Sequence, residues 1–214
     1  GIIQGLTEFL PISSSGHLVL AQHFMNINER GVLLEVILHM GTLIAILAYY
    51  WDDLTNLAKD VFNGIAEAKT YVLYLAVATV PAIFAGIFFE NRIEFAFIPS
   101  VVIWMLMITG LVVGSTYFVK NRSRRELTYM IVLYIGFAQA FALLPGISRS
   151  GITISVALLM GIKHHEAAKF AFFMAIPALL GAGLLQMIKI DNIQQIDLFP
   201  LIMGFSSAAM AGYL

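Results

Sequence analysis

The chain has 214 residues, of which 60% are hydrophobic and 12% charged, with a net charge of −1. A soluble domain of this size carries about twice that charged fraction, and the mean hydropathy is +0.88, so a soluble globular protein is excluded. No basic stripe points to nucleic acid, and the absence of cysteine excludes disulfides, thiolate chemistry and Cys-ligated zinc.

The first segment, roughly residues 1–25, is polar in the middle: Gln4-Gly-Leu-Thr-Glu8-Phe-Leu-Pro11-Ile-Ser13-Ser14-Ser15-Gly16-His17. It is no signal peptide, because it lacks a basic leading region. Gln4 and Glu8 are spaced i, i+4 and share one helix face. Pro11 stops that helix, and a second helix is expected to start at the serine cluster with a serine cap. A helix N-terminus with free N–H groups and adjacent hydroxyls suits an anion, and His17 falls in its first turn or so.

Next come three apolar segments, Val32–Trp51, Tyr71–Phe89 and Phe97–Val119, each near the roughly 20 residues that cross a bilayer. Residues 127–162 then repeat the opening pattern as Gln139-Ala-Phe-Ala-Leu-Leu-Pro145-Gly146-Ile-Ser148-Arg149-Ser150-Gly151. Gln4, Ser13, Ser15 and Gly16 match Gln139, Ser148, Ser150 and Gly151 at one offset of 135 residues, and only the proline slips by one. Phe170–Ile188 and Leu198–Leu214 complete the apolar segments. Because the chain opens at Gly1 inside one motif and closes inside an apolar run, it reads as a trimmed segment of a longer protein, with a leading helix and a further span expected beyond it.

The expected fold is an all-α polytopic membrane protein, one domain over 1–214, with repeat 1 near 1–119 and repeat 2 near 127–214. Backbone freed at a proline break is tolerated at membrane depth only where protein or a wet cavity satisfies it. Each motif segment is therefore expected to be a re-entrant hairpin. On that assumption one side collects eight bases, Lys59, Lys69, Lys120, Arg122, Arg124, Arg125, Lys163 and Lys169, against Arg30, Arg92 and Lys189 on the other. The positive-inside rule places the eight in the cytoplasm. Three crossings separate the hairpins, so they enter from opposite sides. That makes the repeat inverted, with the tips meeting near the midplane as in transporters.

Ionisable groups at membrane depth are costly and mark function. Glu8, Ser14, His17 and Arg149 are the catalytic candidates, with Gln4, Ser13, Ser15, Ser148, Ser150 and Gly146 as substrate contacts. Together they offer hydroxyls, an acid or base, a metal-capable carboxylate and a guanidinium fork suited to phosphate oxygens. Phosphoryl transfer needs chiefly positioning and charge neutralisation, and the inventory fits hydrolysis of a phosphoanhydride carried by a membrane-embedded molecule. The serines could instead satisfy the broken backbone. The attacking group is left open among Ser14, His17 and water. Glu35 and His39, spaced i, i+4, could support the site from behind but read rather as a helix-stabilising pair near the interface, and His164, His165 and Glu166 as an exposed helix start. A lipid flippase or secondary transporter is the rival, being equally natural for inverted repeats.

The run Gln4–His17 resembles the glutamate-rich signature of undecaprenyl-diphosphate phosphatases, the bacitracin-resistance family, and Leu144–Gly151 resembles that family's second signature. The resemblance also covers Glu35–Gly41 and Ala167–Pro177. It implies removal of the terminal phosphate from undecaprenyl diphosphate, which recycles the lipid carrier of cell-wall synthesis, at a site opening to the outer side of the cell membrane. By the same resemblance Glu8 is the essential carboxylate, Ser14 a candidate nucleophile, His17 a base or acid, and Arg149 the phosphate-binding arginine. It further implies a divalent cation, Mg2+ or Ca2+, for which Glu8 is the matching ligand because hard cations take oxygen donors. Gln4 stands where the family takes Glu or Gln, so one negative charge of a two-carboxylate site is missing. The implied partners are the lipid substrate and the bilayer, with a homodimer left open.

Overall fold

The structure, a computed structural model, describes residues 1–25, 32–89, 92–93, 95–119, 125–188 and 198–214. Arg30, Lys120, Arg122, Arg124 and Lys189, which enter the charge count above, lie outside the described residues. Those described are mostly helical, with no strand among them. In chain order they form α1 (Ile2–Glu8), α2 (Ser14–Phe24), α3 (Val32–Tyr49), α4 (Trp51–Phe62), α5 (Ala66–Phe88), α6 (Pro99–Ser115), α7 (Tyr129–Phe141), α8 (Arg149–Leu159), α9 (His164–Ile188) and α10 (Leu198–Tyr213).

Among the described residues three helical stretches are long and apolar enough to cross a bilayer: Ala66–Phe88, Pro99–Phe118 and His164–Gln186. Only 17% of the first and 11% of the second is buried inside the protein. Such apolar, outward-facing helices need lipid around them, and the chain is a multi-pass membrane protein. α3 and α4 together are also long and apolar enough, but they are bent by 72° where they meet. The expected crossing Val32–Trp51 therefore ends at Tyr49, and α4, with Asp52, Asp53, Lys59 and Asp60 and no buried residue, has the composition of an interfacial helix. α9 starts at His164 rather than Phe170, because the helix includes the polar turns His164–Lys169 that precede the apolar run, and Pro177 sits inside it as it does in the expected segment.

Both motif segments break where their prolines predict. α1 stops at Glu8 ahead of Pro11, and α7 stops at Phe141 ahead of Pro145. The arms of 7, 11, 13 and 11 residues are each shorter than the roughly 20 needed to span.

Packing crosses between the two halves of the chain. The first arm α1 packs on α10, while the equivalent arm α7 packs on α5. The helices that follow each hairpin, α3 and α9, pack against one another, and α6 touches both second arms, α2 and α8. The larger core joins α5, α7, α8 and α9 through Ala78, Ile135, Leu158, Phe170 and Met174. A smaller one joins α2, α3 and α10 through Leu18, Leu38 and Ala208. These cores bring the two breaks into contact: a Cβ on Gly16 would lie 2.9 Å from Gly146 Cα.

Candidate active site

Glu8 closes α1, and its position follows from the helix turn before it: Gln4 Nε2, four residues back, donates to Glu8 Oε2 at 3.0 Å. Beyond Pro11 the chain reverses through Ser13, the single non-glycine residue with positive φ (67°) among those described. A serine held there costs on the order of 1–3 kcal/mol, and three bonds hold it. Ser13 Oγ accepts from Gly16 N at 3.2 Å, capping α2. Its carbonyl accepts from His17 N at 3.2 Å and from His17 Nδ1 at 2.7 Å. The reversal aims the next side chain back at α1, where Ser14 Oγ donates to Glu8 Oε2 at 2.5 Å.

The second break repeats the scaffold. Ser148 Oγ caps α8 by accepting from Gly151 N at 3.0 Å. The hydroxyls of Ser148 and Ser150 lie 3.3 Å apart, as do those of Ser13 and Ser15. Gly146 has φ +97°, and a Cβ there would stand 2.6 Å from Val102 O, so only glycine fits. Thr109 of α6 clamps this turn, donating to Gly146 O at 2.8 Å and accepting from Ser148 N at 3.0 Å. No sequence signal marked Thr109, because its partners lie 37 and 39 residues away.

The two tips join on Glu8. Arg149 donates through its terminal guanidinium nitrogen to Glu8 Oε1, and Ser150 Oγ lies 3.3 Å from the Glu8 carbonyl oxygen. Arg149 thus pairs with a carboxylate 141 residues away on the other hairpin. His39 completes the set, with Nε2 3.4 Å from Glu8 Oε2. Its Nδ1 donates to the Glu35 carbonyl at 2.7 Å, which leaves Nε2 as the nitrogen facing the carboxylate. Of the two readings of Glu35 and His39, the structure favours the one that sets them beside the site over the helix-stabilising one. The i, i+4 spacing holds the ring by a backbone bond, and the ring's free edge reaches the site. What the spacing could not show was that α3 packs on α1.

A cavity of about 270 Å³ opens onto these groups. Its polar end is lined by Glu8, Ser13–Ser15, Glu35, His39, Gln139 and Ser148–Ser150, and its walls by apolar residues such as Ala82, Phe97, Leu143, Leu179 and Leu185. Of the expected site residues, Glu8, Ser13, Ser14, Ser15, Ser148, Arg149 and Ser150 share this cavity. Gln4 is fully buried behind Glu8, while His17 is occupied on Ser13 and Gly146 on the α6 contact. His164, His165 and Glu166 are exposed at the start of α9, as expected.

The donors do not fit a resident divalent cation at Glu8. Oε2 accepts from Gln4 and Ser14 and faces His39, Oε1 is held by the Arg149 guanidinium, and Gln4 adds no charge. No group of three or more His, Asp or Glu side chains able to hold a metal occurs among the described residues.

A family model described as bacitracin resistance protein BacA matches residues 1–214. An undecaprenyl-diphosphatase of Geotalea daltonii is 39% identical over 226 residues, covering 100% of this chain and 84% of its own length. Those of Desulforudis audaxviator and Syntrophotalea carbinolica are 36% and 43% identical over 221 and 196 residues, covering 100% and 88% of this chain and 83% and 74% of their own lengths. With both signature segments built into one cavity and the match running from end to end, the chain belongs to the bacitracin resistance protein BacA family.

Proposed function

We propose that this protein hydrolyses undecaprenyl diphosphate to undecaprenyl phosphate and inorganic phosphate, returning the lipid carrier to cell-wall synthesis. The observation that carries the chemistry is the Ser14 hydroxyl donating to Glu8 Oε2 at 2.5 Å, with a guanidinium from the other hairpin on the second carboxylate oxygen. A flippase has no need of a hydroxyl poised on a carboxylate. The apolar walls take the prenyl chain, and the polar end takes the diphosphate.

As the diphosphate arrives, Arg149 exchanges Glu8 for the terminal phosphoryl oxygens, which its planar fork fits. Ser14 Oγ attacks the terminal phosphorus and passes its proton to Glu8, a general base already within hydrogen-bond reach. The bond from phosphorus to the bridging oxygen breaks, and undecaprenyl phosphate leaves with that electron pair and the proton from Glu8. Water then attacks the phosphoserine and gives a proton to Glu8. The bond from phosphorus to Ser14 breaks, and Ser14 recovers a proton from Glu8. His39 and Gln4 hold the carboxylate throughout, and His17 holds the strained carbonyl of Ser13, which keeps Ser14 aimed. No step is assigned to a divalent cation, because Glu8 is a single carboxylate whose Oε2 already accepts from Gln4 and Ser14 and faces His39, which leaves few oxygen donors for one.

The contact exchange between halves supports an inverted repeat with two re-entrant hairpins. Lys169 pairs with Asp53, and Arg125 N donates to Gly161 O. These contacts gather Arg125, Lys163 and Lys169 at one end, which is taken as cytoplasmic, so the site opens outward. Phosphate release from undecaprenyl diphosphate by the purified protein, beside Ser14→Ala, Glu8→Ala and Arg149→Ala, tests the reading. Release by the wild type and its loss in all three folded variants is expected. Full turnover in Ser14→Ala would hand the attack to water, and no release by folded wild type would end the proposal.

A further inference from the structure

We infer that Gln139 is a substrate-binding residue, its amide N–H donating to an oxygen of the phosphate that stays on the lipid. Gln139 lies on α7, 2% exposed, and neither its Nε2 nor its Oε1 has a hydrogen-bond partner. It also lines the same cavity as Glu8, Ser148, Arg149 and Ser150. A buried amide with both ends unmet is costly, and structures rarely keep one.

The repeat explains why this amide is free. Gln4, its counterpart 135 residues earlier, spends its Nε2 on Glu8 one turn along the helix. One turn past Gln139 stands Leu143, so the same helical geometry offers no acceptor. Ala142 and Leu143, in the turn that ends α7, follow Gln139 at i+3 and i+4, and both belong to the apolar cavity wall. Gln139 is thus a polar point beside the wall that takes the prenyl chain. Ser14 and Arg149 hold the terminal phosphate, and the next anionic group toward the chain is the phosphate joined to the lipid. An amide N–H is the neutral donor such an oxygen needs. It holds the leaving phosphate without competing with Arg149.

This inference rests on the proposed function for its ligand, and its test separates the two. Gln139→Leu keeps the volume and removes both polar atoms; Gln139→Glu keeps the acceptor and adds a negative charge; Gln139→Met is the flexible substitute should Leu fail to fold. With undecaprenyl diphosphate, kcat/KM should fall on the order of 10-fold or more in Leu and Met, and further in Glu. Thermal stability of the Leu variant should equal or exceed that of wild type, because an unmet buried amide is gone. Inhibition by farnesyl monophosphate should weaken by a similar factor, and inhibition by inorganic phosphate should be unchanged.

Direct binding of farnesyl monophosphate, followed by native mass spectrometry, supplies a readout free of turnover. If wild type binds it in a Gln139-dependent way yet releases no phosphate from the diphosphate, the hydrolase reading fails and the inference stands. If a folded Leu or Met variant binds and is inhibited by farnesyl monophosphate as wild type is, the inference is overturned. Glu outperforming Leu would also overturn it, because the group would then be serving as an acceptor.

Discussion

Glu8 and Arg149 sit on different hairpins, with side chains 6% and 18% exposed. Glu8→Gln and Arg149→Met each leave the opposite charge without its partner. At hydrogen-bond distance and an effective dielectric near 20, the lost attraction is about 4–6 kcal/mol. Removing one partner of a buried pair costs about 3–5 kcal/mol. Arg149 also borders the cavity, where solvent can share its charge, so about 3 kcal/mol is expected for each single variant. The double variant loses the attraction only once and strands no charge, so it should be more stable than the sum of the singles by about 1–3 kcal/mol. Thermal unfolding in detergent reads this out, because each kcal/mol moves a chain of this length by about 2–4 °C. Each single variant should melt about 6–12 °C low, and the double variant at or above the worse of the two. Phosphate release should be lost in all three, because stability can be recovered by neutralising the pair while the chemistry cannot. Additive losses of melting temperature would show that this pair does not couple the hairpins. Turnover in the double variant would remove both groups from the reaction.

Arg149→Lys keeps the charge but loses the two-pronged fork, so phosphate release should stay far below wild type; near-wild-type kcat/KM would take Arg149 off the phosphate. Ser148→Ala deletes the cap of α8 and should cost about 1 kcal/mol of stability, with much more activity kept than in Ser14→Ala; equal losses in both would make Ser148 part of the chemistry. His39→Gln can still present a side-chain N–H to Glu8 and should keep most of its turnover, whereas His39→Leu should lose on the order of 10-fold through the stranded carboxylate; equal behaviour of the two would reduce His39 to packing. Elemental analysis of substrate-free protein after gel filtration should find no stoichiometric Mg2+ or Ca2+; a retained ion lost on Glu8→Gln would mean that Glu8 binds it in preference to Arg149.

Local signals were legible where neighbours in sequence are neighbours in space. Pro11 and Pro145 end their helices, Ser13 and Ser148 cap the next ones, and Gln4 meets Glu8 one turn away. The identity of Glu8 and Arg149 as interior charges could be read from composition, but their pairing could not, since 141 residues separate them. His39 was discounted because its i, i+4 partner offered a complete local account. That account is true of Nδ1 and silent about Nε2, which depends on how α3 lies against α1. Thr109 is illegible for the same reason: a threonine in an apolar helix shows nothing until α6 is laid across the Gly146 turn. The start of α9 was placed late because the apolar run begins only after Lys169, whereas the helix already begins at His164 and takes His165, Glu166 and Lys169 into its first turns.

The two repeats share scaffold residues and divide the chemistry. At the offset of 135 the caps Ser13 and Ser148, the hydroxyls Ser15 and Ser150, the glycines Gly16 and Gly151, and Gln4 and Gln139 are retained. Each acid–base group of the first half meets something else in the second: Glu8 meets Leu143, Ser14 meets Arg149, Glu35 meets Phe170 and His39 meets Met174. Phe170 and Met174 are fully buried in the larger core, while Leu143 lines the cavity. In the proposed reaction one half therefore supplies the proton acceptor and hydroxyl, and the other the cation and part of the apolar wall. A symmetric pair of sites would place two carboxylates face to face at a tip contact, where like charges cannot both ionise without cost. Replacing one carboxylate by Leu143 and one serine by Arg149 turns that repulsion into the ion pair that joins the hairpins. The same replacement leaves Gln139 without the partner that Gln4 has.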